Sequence, residues 1–274
     1  MKKNYKQHII RFYQRFFAKR KFYSFNKLLF ECSLRGLGIL NAKTATLTGE
    51  LFFLQQHLKK APHGGIVFDV GANVGHYSQM CHEINPFLHL YAFEPLPANY
   101  EKLHSWALSQ TGNITTVNLG CGERNEMIEI YDYAEVNGSS HASLYKDVFE
   151  KIHRADAKPT QINLVKLDDF AREKNIEQIY LLKIDVEGHE LSVLRGTENL
   201  IRNGKIHSIQ FEFGPMNMIS RVFFQDVLDF LRDYRCYRLL PDGMIPLNKA
   251  NKPYRLSHEH NIFAFQNIVA LRNI

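Results

Sequence analysis

No stretch of this chain approaches the run of about 18 apolar residues that reads as a membrane span, although 45% of its 274 residues are hydrophobic. That content is enough for a packed core, and the length suits one large domain or one domain with an appendage. Cysteine is scarce. Cys32, Cys81, Cys121 and Cys236 lie far apart, and none belongs to a CxxC pair. Such spacing argues against a zinc site or a disulfide framework and fits a reducing compartment. Lys2, Lys3 and Lys6 are not followed by an uninterrupted apolar region with a small-residue cleavage site, so no secretory signal is read. A cytoplasmic location is expected. There is no internal repeat and no low-complexity tract.

Acid is absent from the first 30 residues, which hold nine Lys/Arg. The remainder carries 25 basic against 28 acidic residues, so the net charge of +6 belongs to this arm and not to the body. A nucleic-acid partner is therefore not expected. Residues 1–60 read as helical: Ile9, Ile10, Tyr13, Phe16 and Phe17 recur at helical spacing, Leu28–Phe30 begins a second apolar stretch, and Thr48-Gly49-Glu50 opens a helix through Leu58. Three readings stand for this arm. It packs against the main domain or a second subunit, it lies as a basic amphipathic helix on an anionic membrane, or, least favoured, it meets nucleic acid. The expected division is an arm over 1–60 and a main domain over 61–274, with oligomeric state left open.

From Gly64 onward short apolar runs alternate with helical patterns. Strands are expected at Ile66–Val70, Leu88–Phe93, Ile114–Leu119, Ile179–Asp185 and Ile206–Phe213. Helices are expected at Tyr77–Ile84, Ala98–Leu108, Leu191–Arg202 and Phe223–Tyr234. This alternation implies right-handed βαβ units in an α/β, mostly parallel sheet. Met127–Tyr133 and Gln161–Lys166 read as extra strands around a long polar loop, 134–160. Tyr237–Pro241 and Asn261–Gln266 read as a closing antiparallel pair.

The sharpest local feature is Val67-Phe68-Asp69-Val70-Gly71-Ala72-Asn73-Val74-Gly75, an apolar strand that runs through a glycine turn into a helix. Gly71 and Gly75 allow a tight turn and close approach of a ligand. The loop is GxxxG, not the GxGxxG of dinucleotide binders, and His76-Tyr77 stands where a P-loop needs Lys and Ser/Thr. A turn without any ligand is the remaining bland reading. Two acids weigh against it. Asp69 at the strand end would repel a pyrophosphate and attract a cationic ligand such as the sulfonium and ammonium of S-adenosylmethionine. Glu94 ends the next strand 19 residues after Gly75, near the distance at which an acid meets ribose hydroxyls in nucleotide-binding α/β folds. Pro95 then stops the strand.

Val67–Tyr77, Tyr91–Tyr100, Val117–Gly122, Gly138–Leu144, Val165–Phe170 and Leu181–Gly196 together resemble the FkbM family of methyltransferases, in family order. The Lys183–Gly188 stretch, KIDVEG, is more specific than the glycine loop. The resemblance implies a Rossmann-like class I methyltransferase fold, S-adenosylmethionine as cofactor, and O-methylation of a sugar or glycosylated natural product. It implies that Asp69, Gly71, Asn73 and Gly75 hold the methionine part, Glu94 the ribose, and the surroundings of Gly120 and Cys121 the adenine. Asp185 would face the transferred methyl. Ala72, Tyr77 and Pro95, in the same stretches, are expected to bind cofactor too.

A sugar hydroxyl must lose its proton during transfer, which calls for a base or a metal. Asp185, Glu212 and His189 are the candidate catalytic residues. Asp185 ends an apolar strand, and its alternative role is to cap the next helix. Glu212 alternates with Phe211 and Phe213, and its alternative role is a simple ion pair. His189 and, less so, His141 titrate in a suitable range. Glu187 and Glu190 read equally as helix-start acids. Asp185, Glu187 and Glu212 offer oxygen ligands for Mg²⁺, but the spacing does not require a metal and none is assigned. Loop 134–160 reads as a lid with Ser140 in reach of the cofactor, or as a mobile surface loop. The acceptor expected is a small molecule or glycan. Lipid or phenolic acceptors, and a non-catalytic interaction module, are the competing readings.

Overall fold

The computed structural model describes residues 2–41, 43–135, 138, 139, 141–247 and 262–273. Strands β1 (Ile66–Val70), β2 (His89–Phe93) and β3 (Asn113–Val117) lie parallel, each beside the next. The chain then builds a small side sheet from β4 (Gly120–Cys121), β5 (Glu126–Tyr133) and β6 (Ala157–Val165). It returns to the far flank of β1 as β7 (Ile179–Ile184) and β8 (Ile206–Phe213), both parallel to β1. β9 (Tyr234–Leu240), β10 (Gly243–Pro246) and β11 (Gln266–Arg272) complete the sheet, with β11 inserted antiparallel between β8 and β9. Across the sheet the order is β10-β9-β11-β8-β7-β1-β2-β3. It is the Rossmann-like α/β architecture that the alternation implies. The order reverses beside β1, where open α/β sheets form their ligand crevice at the carboxyl ends of the strands.

Both faces of the central strands are covered, which explains their nearly continuous apolar sequence. Phe68, Phe93, Leu182, Ile209 and Phe211 pack on one face with helices Leu167–Glu173, Glu190–Arg195 and Phe224–Phe230. Val67, Leu90, Leu181 and Val269 pack on the other with helices Glu50–His57 and His76–Ile84. Phe53, Leu54 and Leu58 are buried in this second layer, so residues 50–58, grouped by sequence with the arm, are part of the core. Residues 37–40 are stitched to the start of β11: Ile39 bridges Gln266, and the Leu40 N–H donates to Phe265 O at 2.8 Å.

Register sets up the site. β1 pairs Asp69 with Lys183 of β7, which in turn pairs with Gln210 of β8. Neighbours so paired point to the same face, so three polar side chains form one row beneath the helices Glu50–His57 and His76–Ile84. Val67 and Leu181, two residues earlier, hold the same face with apolar packing.

Several boundaries differ from the sequence reading. The expected helix 191–202 breaks at Gly196-Thr197 into Glu190–Arg195 and Glu198–Arg202. A Cβ on Gly196 would sit 1.9 Å from Gly122 O, and the Asp168 carboxylate accepts from the Asn199 and Leu200 N–H groups at 2.9 and 3.0 Å, starting the second helix anew. The closing strand begins at Gln266 and runs to Arg272, where the reading ended it at Gln266; Asn261 lies outside the described residues. Helix Phe224–Phe230 ends early because Tyr234 belongs to β9, its hydroxyl donating to Ile206 O at 2.8 Å. The polar loop 134–160 contains a π-helical turn, Val148–His153, that buries Val148 and Phe149.

Candidate active site

Two cavities meet at the glycine turn. The first is an open cleft lined on the sheet side by Gly71, Asn73, Glu94, Pro95, Gly120 and Cys121. Apolar side chains of the side sheet, Ile130, Ile162 and Leu164, form its opposite wall. Gly71 has φ +80, and a Cβ there would lie 1.8 Å from Asp185 O, so only glycine permits this turn. Asn73, at φ 52, also occupies the left-handed region, which Asn tolerates better than most residues.

Glu94 lines this cavity with two other acids, Asp185 and Glu187. Its two oxygens accept from the backbone N–H groups of Asn73 and Leu96, each at 2.9 Å. Burial pushes its carboxyl up to about 7, against the pull of those two N–H groups. His189 stands in the same wall. Its Nδ1 is 3.2 Å from the Tyr145 hydroxyl, and its buried Nε2 has no partner. Burial lowers the imidazole to about 4, so it is neutral near pH 7. Over this cavity the segment at Gly138-Ser139 is fixed: Asp132 accepts from both N–H groups at 2.9 and 3.0 Å, and Asn99 Nδ2 donates to Ser139 O at 3.1 Å. Ser139 lines the cavity, whereas Ser140 lies outside the described residues.

The second cavity opens on the other side of the turn. Lys43, Thr44, Glu50 and Phe265 form its rim and wall, and Asp69, Tyr77, Lys183, Asp185 and Glu212 its floor. Lys183 is 2% exposed, with its ammonium 3.2 Å from Asp185, 3.6 Å from Glu50 and 3.8 Å from Glu212. It also sits 5.5 Å from the centre of the Tyr77 ring. Burial acts to lower the Lys183 pKa, but Asp185, Glu50, Glu212 and Asp69 outweigh it and hold the ammonium above its ordinary value. Burial, then the charge of Asp185, drives the Glu212 carboxyl well above the usual carboxylate range. Asp69, bonded to the Ser78 hydroxyl at 2.6 Å, is raised by burial to about 6.

Asp185 and Glu212 are thus brought together, around Lys183. His189 is not with them: it shares a cavity with Asp185 but not with Glu212, because the turn Val186-Glu187-Gly188 carries the start of helix Glu190–Arg195 toward Gly122. Asp69, Ala72 and Tyr77 line the second cavity only. Gly75 touches neither. At φ +93 it precedes helix His76–Ile84, and a Cβ there would meet Leu103 at 2.8 Å, so this glycine serves helix packing. His141 lies 3.4 Å from Glu187, outside the Lys183 cluster. The Glu190 carboxylate turns inward to accept from the Gly188 N–H and Asn217 Nδ2. Among the described residues, no three His, Cys, Asp or Glu side chains converge as metal ligands.

Sequence reasoning passed over Lys183 and Glu50. For Lys183 a signal existed, an ionisable residue inside the apolar run Tyr180–Ile184. Glu50 gave none, since an acid in a first helical turn is ordinary.

The parallel sheet, the glycine turn after β1 and the acid after β2 define a class I methyltransferase domain. A model of the methyltransferase FkbM domain matches residues 69–238, more than half of the chain. The chain belongs to the FkbM methyltransferase family, and the cofactor of that family is S-adenosylmethionine. Among curated relatives, the hexuronic acid methyltransferase AglP of Haloferax volcanii is 22% identical over 169 residues, covering 61% of this chain and 64% of that one. The 31-O-demethyl-FK506 methyltransferase FkbM of Streptomyces tacrolimicus is 27% identical over 157 residues, covering 50% and 60%. The 2-O-methyltransferase NoeI of Sinorhizobium fredii is 23% identical over 193 residues, covering 65% and 76%. The chain therefore spans less than two thirds of the length of the first two.

The residues present suit the cofactor's nucleoside: the first cavity offers the Glu94 carboxylate as acceptor and an unpartnered buried ring nitrogen at His189.

Proposed function

We propose that this chain is an S-adenosylmethionine-dependent O-methyltransferase whose acceptor is a hydroxyl of a sugar, glycan or glycosylated natural product. One observation carries the reading: Gly71, Asn73 and Asp185 line both cavities. Donor and acceptor entering from opposite sides would meet at these three residues, which is the alignment that methyl transfer chiefly needs.

S-adenosylmethionine supplies an activated, electrophilic methyl group. Glu94 accepts from the ribose hydroxyls, with its carboxylate already oriented by two backbone N–H groups. Pro95, Gly120 and Cys121 flank the base. Asp69 and Asp185 give the glycine turn a negative environment suited to the cationic methionine part. In the second cavity Lys183 keeps its proton and fixes Asp185 and Glu212 by charge. Glu212, its pKa raised by burial and by Asp185, accepts the proton that leaves the acceptor hydroxyl.

The sugar class is supported by the hexuronic acid named for AglP and by the polar rim at Lys43 and Thr44, and transfer to oxygen by the 2-O position named for NoeI. A methyl-labelled donor offered with a panel of uronic acids, neutral oligosaccharides, phenols and lipids tests it. Label recovered as a sugar methyl ether is the expected result. Label recovered only in phenols or lipids overturns the acceptor class, and no transfer to any acceptor overturns the enzymatic reading.

A further inference from the structure

Helix Lys2–Phe17 and helix Tyr23–Gly36 stand apart from the sheet. None of residues 5–33 is buried. Their elbow is held by its own contacts: Phe17 packs on Phe22 and Phe25, and Asn26 Nδ2 donates to Phe17 O at 3.0 Å. On the first helix Tyr5, Ile9, Phe12 and Phe16 are all exposed, by 45% or more. Their spacing of four, three and four residues puts them on one stripe. Lys6, Arg11 and Arg15 flank that stripe. The second helix adds Phe25, Leu28, Leu29 and Phe30, also exposed. An apolar stripe this size, left open on a helix, calls for an occupant.

Charge selects among occupants. The first 30 residues carry nine Lys/Arg and no acid, so two copies of the arm would repel each other. Nucleic acid would satisfy the charge but not the aliphatic Ile9, Leu28 and Leu29, which offer no ring for base stacking. An anionic bilayer satisfies both: the stripe enters the acyl boundary while Lys and Arg meet the headgroups. No described helix is long and apolar enough to cross a membrane, so the arm would lie on the surface.

We infer that residues 2–36 form an interfacial anchor that docks the protein on an anionic phospholipid surface. Leu40 bonds to Phe265, which lines the second cavity, so the root of the anchor lies beside that cavity's rim. Docking therefore brings the rim to the membrane, where a lipid-linked glycan is within reach. This last consequence rests on the function proposed above; the docking does not.

Flotation of the full chain with vesicles tests the anchor, using phosphatidylglycerol mixed into phosphatidylcholine against phosphatidylcholine alone. The chain is expected to float with the anionic vesicles, to be released by salt, and to remain unbound to the neutral ones. A variant with Arg11→Gln and Arg15→Gln should partition less, by about fivefold for each charge. A variant with Ile9→Asp, Phe12→Asp and Phe16→Asp should not float at all. Both variants should keep wild-type affinity for S-adenosylhomocysteine, which shows that the body is folded. Failure of the wild type to float, or flotation unchanged in the triple-Asp variant, overturns the anchor. So does a wild-type dimer that the triple-Asp variant abolishes, since the stripe would then be covered by a second copy.

Discussion

The ammonium of Lys183 lies 3.6 Å from the carboxylate of Glu50, joining the floor of the second cavity to a helix outside the family-matched segment. Glu50 is itself held by Gln210 Nε2 at 2.8 Å and by the Thr48 hydroxyl at 3.1 Å. The cluster of Glu50, Lys183, Asp185 and Glu212 thus contains one cation and three carboxyl groups in a site largely removed from water. An arrangement of this kind is sensitive to the loss of its single cation.

Replacing Lys183 with Met removes that cation and leaves the carboxyl groups facing one another. Stability at neutral pH should fall by about 3–5 kcal/mol, the usual cost of orphaning a buried charge. Without lysine the Glu212 carboxyl, already raised by burial and Asp185, rises further above its unfolded value, so the lost stability returns as the pH is lowered and it protonates. Urea unfolding of both proteins across the acid range measures this. A deficit that stays constant with pH would contradict the electrostatic account.

Glu212 should govern the acid limb of the rate profile. Burial and Asp185 raise its pKa, so lowering the pH protonates the base and turnover falls while donor affinity tied to Glu94 is followed separately. Glu212→Gln should lower kcat by about a hundredfold to ten-thousandfold, the usual contribution of a positioned base. The acid limb attributable to Glu212 should vanish with it. Single-turnover rates at saturating donor make the comparison.

Gly71→Ala should damage the fold at the heart of the site. The position has φ +80, and the new Cβ would lie 1.8 Å from Asp185 O. Left-handed backbone strain and overpacking together cost about 2–4 kcal/mol. Urea unfolding should show the loss, with weaker donor binding. Gly243→Ala, where nothing lies within 4 Å, is the control and should change little.

Much of what surrounds the glycine turn could be read in the sequence because its residues follow strands whose apolar runs announce themselves. Asp69, Gly71, Glu94 and Asp185 each sit at or beside the end of such a run, and sheet topology alone carries strand ends to one crevice. The cluster around Lys183 was less legible. Lys183 meets Asp69 and Gln210 only through the register of β1, β7 and β8, which no local pattern reveals. Glu50 arrives by the docking of a helix distant in the chain. His189 was read as a candidate base because an imidazole titrates in a suitable range, but the direction of the turn after Asp185 carries it to the other cavity. Gly75 looked like a ligand glycine and proved to make room for Leu103. The start of β11 was misplaced because Ile262–Phe265 is as apolar as the strand that follows.

Glu94 is the residue on which the whole reading turns, and calorimetric titration with S-adenosylhomocysteine is its direct test. Its carboxyl, raised by burial to about 7, must be ionised to accept from both ribose hydroxyls. Affinity should therefore be full above neutrality and weaken as the pH falls through that value. Glu94→Ala should lose about 1–3 kcal/mol of binding and most of the pH dependence. NAD should give no heat. Absence of binding by the wild type, or equal affinity in wild type and Glu94→Ala, would contradict the account.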